Sequence, residues 1–304
     1  MFSVSTQSTY ASQLKAFGKF CVKYEINPVP LSAWDICRYI AYLADFLCYS
    51  SIVQYLNVIR IIHEEAGLPN PIPNNFLVGS TLKGARRVLG SKVSPKSPIT
   101  PTILKSIYSC LNLRSSLDLH FWSACLTFFF SFSRKANLLP LTVGSFDHKT
   151  QVCRCDITFH TGYVLLRFRH TKTNQYGQRE LTVPLAHLGG SVMSPLLFLA
   201  MCKVLSPPGC GPVFMYKKGP DYVPMTYRVF LDRLKQCLTK LGLDPDCFAS
   251  HSFRRGGATH ALACQVPPDM IKQHGDWASQ CYQRYIHPDI QTRIEVTRMM
   301  GENL

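Results

Sequence analysis

The sequence lacks most of the short signatures that announce an enzyme. It contains no GxxxxGK[ST], no GxGxxG after a strand, no HExxH and no GxSxG, which argues against NTPases, dinucleotide enzymes, zinc proteases and α/β-hydrolases. Its 13 cysteines include no CxxC pair, and His260 and Cys264, four apart on a predicted helix, have no second pair nearby to complete a metal site. No metal or other cofactor is therefore expected. Long apolar runs are also missing: the most apolar stretch, FWSACLTFFFSF from Phe121 to Phe132, has 12 residues, short of the roughly 20 that span a bilayer. It reads as a buried core helix, so no membrane association is expected. The opening MFSVSTQSTY is polar where a signal peptide needs an apolar region, and the odd, scattered cysteines read as reduced thiols of an intracellular protein.

Carboxylates are scarce as well. Against 33 Lys+Arg stand 18 Asp+Glu, a formal charge of 33 − 18 = +15, while the hydrophobic fraction of 46% is that of a folded chain. Such a protein presents a basic surface to a polyanion: nucleic acid, anionic lipid or an acidic protein. Residues 1 to 97 carry 10 basic and 5 acidic groups and the remainder 23 and 13, giving +5 and +10, so both halves are positive.

A length of 304 residues suggests two domains. From Ser5 to Gly90 four segments carry apolar residues at helical spacing: YASQLKAFGKFCVKY, LSAWDICRYIAYLADFL, SIVQYLNVIRIIHEEAGL and NNFLVGSTLKGARRVLG. They predict a small helical bundle. SKVSPKSPITP follows, rich in Ser, Pro and Lys, and reads as an extended linker; the boundary falls near residue 95, giving domains 1–95 and 96–304. Between Glu65 and Asp118 lie Lys83, Arg86, Arg87, Lys92, Lys96, Lys105 and Arg114 with no acidic residue. This one-signed run across a linker reads as a phosphate-tracking surface, with Lys83, Arg86, Arg87, Lys92 and Lys96 as DNA contacts; a solvated helix face is the plainer alternative. The second segment opens with helices, passes through VCRCDITFH, YVLLRFRHT and RELTVPLA, which predict a three-stranded antiparallel sheet, and returns to helices. The fold class is mainly α with a small antiparallel β-sheet.

The informative segment is HSFRRGGATHALACQVPPDMIKQHGDWASQCYQRYI. His251 and Arg254 are three apart at a predicted helix start, hence on one face, where free amide donors favour an anionic oxygen. Taken alone, the pair also fits a cap and a surface cation. Its company adds weight: Arg134 follows the buried apolar helix, Lys172 lies near the tip of HTKTNQYGQ, and Tyr282 and Tyr285 follow the Gly275-Asp276-Trp277 turn.

These residues resemble the tyrosine recombinases, or phage integrases. That family combines an Arg in a G-x-R-x-x-E-L-like segment, a Lys in a β-hairpin, an H-x-x-R pair, a Gly followed by His or Trp, and a Tyr. The matching positions are Arg134, Lys172, His251 with Arg254, Trp277 and Tyr285, in the family's order and over nearly the whole chain. SRKANLLPL and HGDWASQCYQRYI are similar to recombinases of eukaryotic Crypton and DIRS-type mobile elements, which implies a nuclear protein. The resemblance implies a helical SAM-like core-binding domain that clamps DNA with a catalytic domain, a homodimer or tetramer on double-stranded DNA, and a 3′-phosphotyrosyl intermediate. Three features depart from the pattern. Asn137 stands where an acidic residue orients the first Arg, Trp277 lies two residues after Gly275 rather than one, and Tyr282 competes with Tyr285 as nucleophile.

The resemblance gives each group a role. Tyr285 attacks phosphorus, and its ionisation, with an ordinary pKa near 10, needs a basic pocket. Arg134 and Arg254 offer planar, permanently charged forks to the non-bridging oxygens. Lys172 protonates the leaving 5′-oxygen and His251 accepts the tyrosyl proton. Trp277 can donate an indole N–H or pack, and QTRIEVTRMM can dock on a neighbouring protomer or on its own domain. A type IB topoisomerase-like enzyme and a domesticated, non-catalytic DNA-binding protein are the alternatives.

Overall fold

The structure is a computed structural model that describes residues 4–90, 96–174, 178–279 and 283. The chain divides into two compact units, Met1–Ser94 and Pro95–Leu304.

The first unit is helical: α1 Val4–Tyr24, α2 Ala33–Ala44, α3 Tyr49–Tyr55, α4 Asn57–Glu65 and α5 Phe76–Leu89. Ser32 and Asn75 cap α2 and α5 by accepting backbone N–H groups of the first turn. The third predicted helix is divided at Leu56, whose φ of −67° and ψ of −17° remain right-handed, so the axis turns without an extended break. Phe17, Phe20, Ile36, Tyr39, Ile40, Ile52, Ile59 and Val78 form the core. His63 ties the entry to α2, its Nε2 accepting the Leu31 N–H at 2.9 Å.

The second unit is built around α7 Ser116–Ser131, which follows α6 Pro101–Ser109. Apolar on every side, α7 is buried almost throughout, as such a helix must be. It ends at Phe132, in the left-handed region at φ 48°, and a short α8, Lys135–Leu138, begins after Arg134. Strands β1 Ile157–His160, β2 Tyr163–Phe168 and β3 Leu181–Ala186 form the antiparallel sheet in the order β1-β2-β3. Val164, Leu166, Phe168, Val183 and Leu185 face the core, the period-two pattern of a one-sided sheet. The first strand is shorter than expected because Arg154–Asp156 turns as a 3-10 helix.

After α9 Pro195–Val204 comes a second hairpin, β4 Met215–Lys218 and β5 Asp221–Pro224, which the sequence pattern had not separated. The unit continues with α10 Tyr227–Lys240, α11 Ser250–Ala263 and α12 Pro268–His274. Phe121, Trp122, Phe128, Phe214, Phe230 and Phe253 fill its core. Buried Asp118 binds Arg233 through two contacts, 2.6 Å to Nε and 2.8 Å to Nη2.

The downstream half of the linker segment packs within the second unit: Ile99 is fully buried, its N–H donates to Ser252 O at 2.9 Å, and Ser97 N–H donates to Cys247 O at 2.7 Å. One expectation is corrected here: the cysteines are not all thiols, since Cys155 is bonded to Cys210. Among the described residues no helix is long and apolar enough to cross a membrane.

Candidate active site

The site assembles where α7 ends. A helix terminus leaves its last carbonyls without intrahelical partners, and here other elements use them. Phe130 O accepts from the His274 ring at 2.7 Å, and Phe132 O accepts a short hydrogen bond from Arg254 Nη1. Arg254 Nη2 donates to Gly275 O at 2.6 Å, and its guanidinium lies 3.8 Å from the Trp277 ring centroid. Arg254 is therefore buried, 2% exposed, with both Nη atoms engaged by main-chain carbonyls. Trp277, at 5% exposure, packs against Phe132 and under Arg254.

Two glycines bring α11 to this place. A Cβ on Gly256 would overlap the Ile99 carbonyl, and one on Gly257 would meet the Phe129 carbonyl and lie 2.7 and 2.8 Å from Phe132 ring carbons. The Arg-Gly-Gly run in a helix interior, costly for propensity, permits a backbone approach that any side chain would block.

Arg134 enters from the residue capping α8, its side chain one-fifth exposed. It shares a cleft with Asn137, Thr171, Arg254, His274 and Asp276. His251 lies one helical turn before Arg254 and keeps solvent access. Desolvation of its ring, followed by repulsion from Arg254, Arg134, Lys135 and Arg255, holds its pKa below the ordinary imidazole value. Burial lowers that of His274 too, against the opposing bond to Phe130 O. Both shifts favour the neutral ring over the imidazolium.

Lys172 sits exposed in the turn Thr171–Asn174 between β2 and β3. That turn is held by groups that sequence reasoning did not single out. Asp276, 4% exposed and left-handed at φ 54°, accepts from Thr171 Oγ1 at 2.5 Å and at short range from Thr173 Oγ1 and Arg179 Nη2. Its Oδ2 also lies 3.8 Å from Arg134 Nη1. Asn137 makes no carboxylate-like contact with Arg134; its Nδ2 donates to His170 O at 2.7 Å. The only signal for Asp276 in the sequence was an acidic residue, in a chain poor in them, inside the Gly275–Trp277 turn.

Five of the six expected site residues thus fall within the described second unit, and Arg134, His251, Arg254 and Trp277 converge. Tyr285, its competitor Tyr282 and the segment QTRIEVTRMM lie outside the described residues, as does Lys92. Lys83, Arg86 and Arg87 are exposed on α5. The last two also lie in its final turn, where cations complement the helix dipole. Lys96 is exposed too, but its Nζ donates to Asp246 O, so its charge is partly spent on anchoring the segment before α6.

The sulfurs of Cys153, Cys155 and Cys210 lie within 4.8 Å of one another, the one cluster of potential metal ligands among the described residues, and the Cys155–Cys210 bond occupies two of the three. His260 approaches Cys264 at 3.7 Å without joining a larger ligand group among those residues.

The architecture is that of the tyrosine recombinases and integrases, helical with small antiparallel sheets. No family model matches the chain. It is 24% identical over 301 residues to an integrase/recombinase XerD homolog of Selenomonas ruminantium, covering 93% of this chain and 81% of that protein. Among solved structures it is similar to the XerH site-specific recombinase bound to palindromic difH substrate in a post-cleavage complex. There the TM-score is 0.68 at 14% identity, over 99% of this chain and 81% of that one. A lambda integrase dimer bound to a core site gives 0.63 at 17% identity, over 94% and 89%. The Tn1549 transposon integrase with circular-intermediate DNA gives 0.55 at 13%, over 89% and 86%.

Proposed function

We propose that this protein is a site-specific recombinase that cuts and rejoins double-stranded DNA through a 3′-phosphotyrosyl intermediate. The observation that carries the reading is the shared cleft of Arg134 and Arg254, with His251 one helical turn before Arg254, beside a braced Lys172 turn, on the fold of known recombinases. In the first step the Tyr285 phenol gives its proton to His251, its oxygen bonds to phosphorus, and the P–O5′ bond breaks. The leaving O5′ takes a proton from Lys172. Arg134 and Arg254 stabilise the added charge on the phosphorane, Arg254 from a buried position fixed by Phe132 O and Gly275 O. Rejoining reverses these transfers with another 5′-hydroxyl. The phosphodiester energy is kept in the tyrosyl link, so the chemistry needs no nucleotide cofactor.

Both units contact DNA in this proposal, the first through Lys83, Arg86 and Arg87 on α5. The resemblance of SRKANLLPL and HGDWASQCYQRYI to Crypton and DIRS-type recombinases supports a mobile-element origin, a nuclear location, and a dimer or tetramer on DNA.

A second reading, a DNA-binding protein that has lost catalysis, draws on the engagement of both Arg254 Nη atoms by carbonyls. One assay separates the two. Nicked suicide duplexes carrying the sequences that flank the gene should give an SDS-resistant protein–DNA adduct that Tyr285→Phe abolishes. Absence of an adduct from the wild-type chain refutes the enzyme. Retention of the adduct by Tyr285→Phe together with its loss in Tyr282→Phe assigns the nucleophile to Tyr282.

A further inference from the structure

The recombinase family pattern gives Asp276 no part, yet it has the most heavily used carboxylate of the site. Its two oxygens receive Thr171 Oγ1, Thr173 Oγ1 and Arg179 Nη2, and its carbonyl receives Thr173 Oγ1 at 3.3 Å. Thr171 and Thr173 are the residues on either side of Lys172. Resting on the recombinase reading above, we propose that Asp276 is a positioning residue that acts through Lys172, fixing the turn that carries it against the Gly275–Trp277 segment.

The geometry distinguishes this role from orientation of Arg134. At 3.8 Å the Arg134–Asp276 contact is beyond hydrogen-bond length and purely Coulombic, whereas both threonine hydroxyls bond directly to the carboxylate. A buried carboxylate must be met by donors, and Asp276 draws three of them from the β2–β3 connection. Asn137 completes the brace from the other side by holding His170 O. The residues at 170, 171 and 173 are thereby all tied down, while Lys172 between them stays exposed.

Asp276→Asn isolates the carboxylate. Asparagine tolerates the left-handed backbone as well as aspartate does, but it turns an NH2 donor toward hydroxyl and guanidinium donors. If Asp276 serves Lys172, the defect lies in protonating O5′, and a substrate whose leaving atom needs no proton will bypass it. A 5′-bridging phosphorothiolate is such a substrate, because its thiolate leaves unprotonated.

The test measures single-turnover cleavage of suicide duplexes with bridging oxygen or bridging sulfur, together with DNA binding. Asp276→Asn should slow oxygen-substrate cleavage by about a hundredfold, within the usual span for general-acid loss. DNA affinity should be unchanged, and sulfur-substrate cleavage should stay near the wild-type rate, which also shows the variant folded. Thr171→Val/Thr173→Val should reproduce this selective loss. An equal loss on both substrates, or no loss on either, overturns the proposal. If the wild-type chain forms an adduct with neither substrate, it is the recombinase reading that fails.

Discussion

Replacing Gly257 by alanine sets helix propensity against packing, and the two predict opposite signs. Propensity alone favours alanine in a helix interior by about 0.8–1.0 kcal/mol. The added methyl, however, would overlap the Phe129 carbonyl and sit 2.7 Å from a Phe132 ring carbon, about 0.8 Å inside ordinary carbon–carbon contact. Neither neighbour yields readily: one is backbone of α7, and Phe132 is clamped by Trp277 and by Arg254 at its carbonyl. Overpacking costs about 1–3 kcal/mol, more against backbone, so a net loss of about 2 kcal/mol is expected. For a unit of this size that lowers the melting temperature by about 4–8 °C. Gly84, inside α5, has open space at its Cβ position, so Gly84→Ala should stabilise the first unit by about 1 kcal/mol. Calorimetry resolving the two units reads both. A second-unit transition unchanged or raised by Gly257→Ala would refute the close-approach account of the paired glycines.

Arg233→Ala should cost about 3 kcal/mol, because it strands a buried carboxylate, while Asp118→Leu/Arg233→Met should recover most of that in urea titration. Burial raises the Asp118 pKa, but hydrogen bonds from Arg233 and Asn112 outweigh it, leaving the folded value below the unfolded one. The pair's stabilisation is thus complete above about pH 4 and fades as pH falls through the folded value; Arg233→Ala should lack that dependence. For His251 the lowered pKa predicts an acidic limb of the cleavage rate centred below the ordinary imidazole value of about 6.5; an acidic limb centred at or above that pH counts against His251 as proton acceptor. Lys83→Gln, Arg86→Gln and Arg87→Gln combined should flatten the log–log salt dependence of DNA binding by about 0.9 for each phosphate no longer neutralised, and an unchanged slope would assign those charges to the helix alone.

Legibility in the sequence followed the range of the forces involved. Periodicity exposed α1, α2, α5 and α10 and the β2–β3 alternation, since each is set by which side faces apolar neighbours, while α7 showed as an unbroken apolar run. Breaks inside apolar runs left little trace: Leu56 and Phe132 are apolar residues at which an axis turns or a helix stops, and both are buried. Arg134, His251 and Arg254 were picked out by residue type together with the family order they match, since the His251–Arg254 spacing alone also fits a cap and a surface cation. Asp276 was missed as a functional group because its partners Thr171 and Thr173 are over a hundred positions away and nothing local marks a turn aspartate as a brace. The choice between donor and packing residue at Trp277 likewise depended on Phe132 and Arg254 being brought to it by the fold.

The end of α7 has a consequence for how an acid-poor chain hosts a dense cluster of cations. Its last carbonyls meet Arg254 and His274, and they form the negative pole of a helix dipole, about half an elementary charge. Counter-charge at the site is thus drawn from the main chain as well as from the Asp276 carboxylate. Unlike that carboxylate, a backbone dipole cannot be protonated away, cannot compete for a metal ion, and adds no full negative charge to repel the phosphate that the cluster would hold.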